Sequence, residues 1–323
     1  MKTNYTLIGD VREKLKELPE KSIQMCVTSP PYYALRDYGT AEWEGGDTNC
    51  YHIDKQQQRG QSSAKQSTNN QGNSGSLLKT CKQCGAKRKD NQLGLEKTPE
   101  EFVANLVEVF AQVHRVLRDD GTLWLNLGDS YLKNKQLGFI PQKVAIALQE
   151  WGWILRQDII WAKKNCMPES VKDRFTKSHE YIFLFSKQPK YFFNQVLEPV
   201  KQSSIDTIND GKITYRKTTP KETIYQEKKK ENITTGGMKN KRSVWNIRTA
   251  SYKEAHFAVF PPELAETCIK AGSNEKDIVL DCFMGSGTTA MVAQQHSRKW
   301  IGVELNPEYE KLIKKRTAQR ELF

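Results

Sequence analysis

The chain has 323 residues, 37% of them hydrophobic, with 50 Lys and Arg against 38 Asp and Glu and a formal net charge of +12. This length can bury a full core and is unusual for a mere binding module, and no apolar run approaches the roughly 20 residues of a membrane span. The cationic excess favours a polyanion such as nucleic acid, and the start MKTNYTLIGD lacks the long apolar core of a signal peptide, which points to a cytoplasmic protein.

In chain order, NYTLIGD (4–10) predicts a strand, VREKLKELP a short helix stopped by Pro19, and SIQMCVTSP a buried strand that enters the pair Pro30-Pro31. Strand, helix, strand is the rhythm of a parallel sheet. Residues 55–76 hold almost no large apolar side chain and predict a mobile loop. Thr98, with Glu101 three places on, reads as the N-cap of a helix whose residues Phe102, Leu106, Val109, Phe110, Val113, Val116 and Leu117 recur at helical spacing. RDDG is expected to end that helix and TLWLNLGD to form the next strand. PQKVAIALQEWG predicts another helix. WILRQDIIWAKK and SHEYIFLFSK predict two strands joined too closely for a helical crossover, hence antiparallel.

Residues 201–253 carry 13 Lys and Arg against 5 Asp and Glu, so a net +8 of the total lies in one segment, whose Tyr215, Tyr225 and Trp245 could support a small subdomain. The α/β rhythm then resumes. PPELAETCIKAG predicts a helix closed by Gly272, DIVLDCF a buried strand, GSGTTAMVAQQ a glycine turn opening a helix, and KWIGVELN a strand, with a last helix from about Pro307. The strands number seven.

The turn after Asp281 is the first place where chemistry is expected. Gly285 and Gly287 permit a tight turn and close ligand approach, and Thr288 and Thr289 begin a helix whose free amides can hold an anion. Glu304, 23 residues after Asp281 at the end of the following strand, is suited to accept both ribose hydroxyls of a nucleoside cofactor. A plain structural turn is the competing reading. No Gly-Lys-Ser/Thr follows, so this is not a phosphate-binding P-loop, while Ala290 at the third glycine's place leaves a nicotinamide dinucleotide open.

Seven cysteines, an odd number spread over a long chain, argue against a disulfide framework. Cys50 with His52 and Cys81 with Cys84 form one CxH and one CxxC pair, four ligands suited to a closed, structural tetrahedral zinc. Such a clip would fasten the two ends of the 28 residues between His52 and Cys81. Scattered thiols with a chance histidine are the alternative.

Taken together, TSPPY, DCFMGSGTT, GVELN and HFAVFPPELAETCIKAG resemble the S-adenosylmethionine-dependent DNA amino-methyltransferases, in the permuted group whose catalytic segment precedes its cofactor segment. The resemblance spans nearly the whole chain except the polar insert and the basic segment. It implies an α/β fold with a seven-stranded, Rossmann-like methyltransferase sheet containing one antiparallel strand. To this are added a zinc-like insert and a small basic target-recognition segment. Residues 1–44 and 94–200 would form the catalytic half, 45–93 the insert, 201–253 the target-recognition segment and 254–323 the cofactor half.

The diproline then has a physical rationale. An exocyclic base amine is a poor nucleophile because its lone pair is delocalised into the ring, so its nitrogen must be held in line with the methyl donor and its protons drawn off. Proline fixes its own φ and restricts its predecessor, so Pro30 and Pro31 can hold the Ser29 hydroxyl and the Pro30 carbonyl as acceptors for the two amine hydrogens. Tyr32 can stack on a base flipped out of the duplex. By the same resemblance, Asp10 approaches the adenine of the cofactor, and Asp281 opens a turn whose Phe283, Gly285, Ser286, Gly287, Thr288 and Thr289 surround its methionine part. Glu304 holds the ribose and Phe257 closes the pocket, with His256 either a ligand contact or a surface residue.

Serine before the prolines resembles the cytosine-N4 type, with adenine-N6 as the alternative. The implied partners are double-stranded DNA, read by residues such as Arg242, Asn246 and Arg248, and a cognate restriction endonuclease. Cys26 and Cys282 read as core, so no covalent base adduct is expected. An inactive nucleic-acid-binding protein on the same scaffold is less favoured, because SPPY, the cofactor turn and the ribose acid are all intact.

Overall fold

Alternation of apolar side chains along the strands sets the architecture. The computed structural model describes residues 1–47, 49–50, 80–200, 238–250 and 260–318, so the expected loop at 55–76 and most of the basic segment lie outside the described residues. The strands are β1 (Tyr5–Ile8), β2 (Ile23–Thr28), β3 (Glu42–Glu44), β4 (Lys87–Lys89), β5 (Leu117–Leu127), β6 (Ile154–Lys163), β7 (His179–Ser186), β8 (Leu197–Pro199), β9 (Met238–Asn240), β10 (Val244–Ile247), β11 (Ile278–Asp281) and β12 (Lys299–Glu304). The helices are α1 (Val11–Lys14), α2 (Pro99–Val116), α3 (Ile140–Trp151), α4 (Pro262–Gly272), α5 (Thr288–Gln295) and α6 (Tyr309–Ala318).

The central sheet has the order β1-β12-β11-β2-β5-β7-β6-β10. The pairs from β1 to β5 are parallel, β7 runs antiparallel to both β5 and β6, and β10 is parallel to β6. This is an α/β sheet in which β7 is reversed, as expected, but it has eight strands rather than seven. The eighth, β10, comes from the basic segment. Its alternation of exposed Val244 and Asn246 with buried Trp245 and Ile247 gives it one core face, and Trp161 Nε1 fastens it by donating to the Ile247 carbonyl at 3.0 Å.

Two cores lie on opposite faces. On one, Phe102, Leu106, Phe110 and Val113 of α2 meet Leu123, Leu125 and Leu127 of β5 and Phe183 and Phe185 of β7. On the other, Leu264, Cys268 and Ile269 of α4 and Val292 of α5 meet Met25, Val27, Trp124, Ile182 and Leu184. The period of two then puts Asn126 on the face of Trp124, and Glu180 on the face of Ile182, at the margin of the second core.

Two local expectations are corrected. RDDG does not separate helix from strand: Leu117 both caps α2 and pairs with Ile23, and the ladder resumes at Met25 opposite Thr122, so residues 118–121 bulge out within β5. Gly272 is not a left-handed cap; α4 ends at extended Ser273, and a Cβ on Gly272 would lie 2.9 Å from Trp124 Nε1 and 3.0 Å from Met25 Sδ. Its missing side chain lets α4 press onto the sheet. Thr98 behaves as read, its hydroxyl accepting from the Glu101 amide at 3.2 Å.

Candidate active site

Beyond the carboxyl ends of the parallel strands, where ligands bind in open α/β sheets, lies a cavity of about 400 Å³. Ser29, Pro30, Pro31 and Tyr32 line it, and so do Asp10, Phe283, Gly285, Ser286, Thr288 and Glu304. Two segments some 250 residues apart in the chain therefore share one space, because β2 and β11 are neighbours in the sheet.

The turn after β11 is built from behind. Asp281 is 1% exposed; Thr28 and Thr289 hydroxyls each donate to it at 2.6 Å, and the Phe283 amide donates at 3.1 Å. Burial pushes its pKa up and these hydrogen bonds oppose the rise. Gly285 and Gly287 take φ of 52° and 85°, and a Cβ on Gly287 would stand 3.2 Å from Cα of Ile313 in α6. Asp281, Gly287 and Thr289 thus brace the turn rather than line the cavity. From α6, the buried Arg316 guanidinium donates to Ser286 Oγ at 2.7 Å and Thr288 Oγ1 at 2.9 Å.

Glu304, half-buried on the cavity wall, accepts from the amides of Gly285 and Asn306, both at 2.8 Å. Desolvation outweighs these bonds and pushes its pKa up to about 7. Asp10 caps α1 and accepts from the Arg12 amide at 2.9 Å and its guanidinium at 2.6 Å; burial would raise its pKa, but the Arg12 hydrogen bonds hold it below the usual carboxylate range.

At the diproline corner, the Tyr32 hydroxyl donates to Glu180 Oε2 at 2.6 Å, and Lys163 forms an ion pair with the other oxygen of Glu180. Burial, then the Glu180 charge, pushes the Tyr32 pKa well up, so its phenol stays a donor. Asn126 Nδ2 reaches Tyr32 Oη at 2.8 Å, Glu180 Oε2 at 3.0 Å and Ser29 Oγ at 3.3 Å, whereas its Oδ1 is buried without a hydrogen-bond partner among the described residues. A Cβ on Gly128 would sit 2.5 Å from the Tyr32 ring, so glycine there gives the ring room.

Asn126, Lys163, Glu180, Trp161 and Tyr309 also line the cavity, and none was singled out from the sequence. Neither was Arg316, behind the wall. Only the alternation of NLGD and HEYIF within their strands could have pointed Asn126 and Glu180 to one face. Cys26 and Cys282 are buried, and burial raises the Cys26 pKa well above that of an ordinary thiol, so it stays protonated. Phe257 and His256 lie outside the described residues. Arg242 pairs with Glu198 at 2.7 Å, Asn246 and Arg248 are exposed, and the adjacent Thr249 and Ala250 line the cavity.

A cavity that couples an aromatic, acceptor-rich corner to a glycine turn and a ribose-type acid on a sheet with one reversed strand defines a nucleoside-cofactor transferase. A family model described as DNA methylase matches residues 23–315. The chain is 37% identical to the type II methyltransferase M.XycI of Xanthomonas campestris pv. cyanopsidis, over 93% of this chain and 83% of that one. It is 36% identical to M.SmaI of Serratia marcescens, over 97% and 90%. Its fold is similar to that of PvuII DNA methyltransferase (cytosine-N4-specific), with a TM-score of 0.62 at 20% identity, covering 98% of this chain and 86% of the other. The chain belongs to the DNA methylase family and is an S-adenosylmethionine-dependent DNA amino-methyltransferase.

The residues present suit that cofactor. Glu304 offers a half-buried carboxylate held by backbone amides, those of Gly285 and Asn306 among them, and Phe283 and Tyr309 give the cavity apolar and aromatic wall. Among the described residues no helix is long and apolar enough to cross a membrane.

Proposed function

We propose that the protein methylates the N4 amine of cytosine within a specific site of double-stranded DNA, as the modification partner of a restriction endonuclease. The observation that carries the cytosine assignment is Ser29: a neutral hydroxyl stands before the diproline, resembling the cytosine-N4 type, where the adenine-N6 type usually carries an acid or asparagine. The type II methyltransferase names of M.XycI and M.SmaI support the pairing with an endonuclease.

S-adenosylmethionine supplies an electrophilic methyl group on a sulfonium. The chain's own residues would bind the cofactor, orient the base and accept hydrogen bonds from its amine, whose surplus proton goes to solvent. Glu304 would receive the ribose hydroxyls, Asp10 would approach the adenine, and the Phe283–Ser286 stretch would hold the methionine part. At the other end of the cavity, Ser29 Oγ and the Pro30 carbonyl accept the hydrogens of the base amine, so that its lone pair turns toward the methyl. Asn126 Nδ2, within 3.3 Å of Ser29 Oγ and 2.8 Å of Tyr32 Oη, holds both groups in place at the corner. Tyr32, its hydroxyl tied to Glu180, presents a fixed aromatic ring for stacking on that base. The amine would take the methyl directly, the carbon–sulfur bond breaking as the carbon–nitrogen bond forms, with no protein-base bond, which agrees with the protonated, buried Cys26.

The 201–253 segment supplies the cations that hold DNA phosphates, and Asn246 and Arg248 are its exposed candidates for reading base edges beside the cavity. Hydrolysis of DNA from cells expressing the protein, with mass spectrometry of the nucleosides, tests the base assignment. N4-methyldeoxycytidine is expected; N6-methyldeoxyadenosine alone would assign the chain to the adenine type.

A further inference from the structure

The polar insert holds a second constellation that methyl transfer does not use. The sulfurs of Cys50, Cys81 and Cys84 all lie within 4.8 Å of one another, and Cys50 Sγ is 3.7 Å from Cys81 Sγ. None of the three is in a disulfide, and 3.7 Å is far too long for one. It is instead close to the spacing of two thiolates on one tetrahedral ion: metal–sulfur bonds of about 2.3 Å put sulfurs about 3.8 Å apart.

The backbone is shaped for this convergence. After Cys81 the chain turns through Gly85, at φ 76°, whose amide donates to the Cys81 carbonyl at 2.9 Å, and the Cys81 amide then donates to Ala86 at 2.7 Å. Cys81 and Cys84 are thereby presented from one tight turn. Gly46, also at φ 76°, lets the opposing loop close over it, since a Cβ there would stand 2.7 Å from Cys84 Sγ and 2.9 Å from Ala86 Cβ.

The sulfur cluster sits at one end of the short ladder β3–β4, in which Trp43 opposes Arg88. The other end of that ladder carries the rim of the cofactor cavity. Arg88 pairs with Asp37 and Asp90, both at 3.2 Å, and Gln92 clamps the rim by donating to the Arg36 carbonyl at 2.7 Å and accepting from the Tyr38 amide at 2.7 Å. Arg36, Tyr38, Gln92 and Leu93 all line the cavity. Three residue pairs of ladder with so few buried apolar side chains, chiefly Ala86 and Leu93, cannot hold a fold by hydrophobic burial alone.

We infer that Cys50, Cys81 and Cys84 bind a structural zinc-class ion as thiolates, and that this ion holds the β3–β4 ladder and with it the rim of the cofactor cavity. Binding releases the three thiol protons to solvent and involves no change of oxidation state. His52, which the spacing nominates as fourth ligand, lies outside the described residues. The inference is independent of which base is methylated.

The test is elemental analysis of the full chain purified without chelator or added metal. About one equivalent of zinc per chain is expected, with its loss from Cys81→Ser and Cys84→Ser. Because those variants could fail to fold, cobalt(II) exchanged into the unmodified protein provides a second readout. A thiolate-to-cobalt charge-transfer band is expected, and Cys50→Ser should reduce it. Less than about half an equivalent of metal with no cobalt–thiolate band, or metal retained in full by the cysteine variants, would overturn the site. Chelation should also weaken cofactor binding about tenfold, if the rim then spends only a tenth of its time ordered. Unchanged cofactor affinity in chelated, metal-free protein would overturn the role at the rim.

Discussion

Glu304 illustrates how one side chain's environment sets a measurable property. Its pKa is pushed up to about 7 because desolvation outweighs the backbone amide hydrogen bonds it receives. A carboxylate accepts both ribose hydroxyls; a protonated carboxyl must give up one acceptor site to its own hydrogen. Cofactor affinity should therefore be level above about pH 7 and fall by up to about tenfold per unit below it. Isothermal titration across pH 5.5 to 8.5 in the absence of DNA would measure this, and Glu304→Gln should bind more weakly with the slope removed. The same desolvation bears on folding with the opposite sense. Because the folded pKa is raised above the ordinary 4.5, charging Glu304 costs stability progressively as pH climbs from about 4.5 to about 7 in the cofactor-free protein.

Residues contributed as contiguous motifs were legible in the sequence. Ser29 to Tyr32, the glycine turn and Glu304 fall where their spacing put them, because strand end, turn and helix start are adjacent in the chain. Asn126, Lys163 and Glu180 were not legible. They come from the ends of three different strands and meet only through the pairing of β7 with β5 and β6, which no local spacing announces.

At the level of elements, the cofactor turn depends on a helix that never touches the cavity through Arg316 itself. α6 packs Ile313 against Gly287, and Arg316 holds two buried hydroxyls of the turn. Replacing Arg316 by Met leaves Ser286 and Thr288 without that charged donor, at a cost of about 2–3 kcal/mol. The thermal midpoint should fall by about 3–4 °C, and added cofactor should restore part of the loss. An unchanged midpoint would mean that the turn is rigid without α6. Other elements show where reading from sequence reached its end. Seven strands were evident from clustered apolar residues bounded by turn residues, whereas β10 lies within a strongly basic stretch and becomes a strand by joining the edge of β6. Gly272 looked like a helix stop because glycine usually is one there, yet tertiary packing against Trp124 explains it.

Across the whole molecule, charge and topology divide the labour. The sheet brings an acceptor corner from its first half and a cofactor turn from its second half into one cavity, and a net +8 of the +12 charge lies in the segment between the two halves. On the proposed function, DNA held through its phosphates by that segment would present a flipped base to the corner without disturbing the cofactor side. The corner and the turn should then be separable in function, and Ser29→Ala is the decisive variant, read by single-turnover methyl transfer to DNA alongside calorimetric cofactor binding. Transfer should slow by about 100-fold or more while cofactor affinity stays within about twofold. Near-normal transfer, or a loss of rate accounted for by lost cofactor binding, would contradict the assignment of the diproline corner as the seat of amine activation.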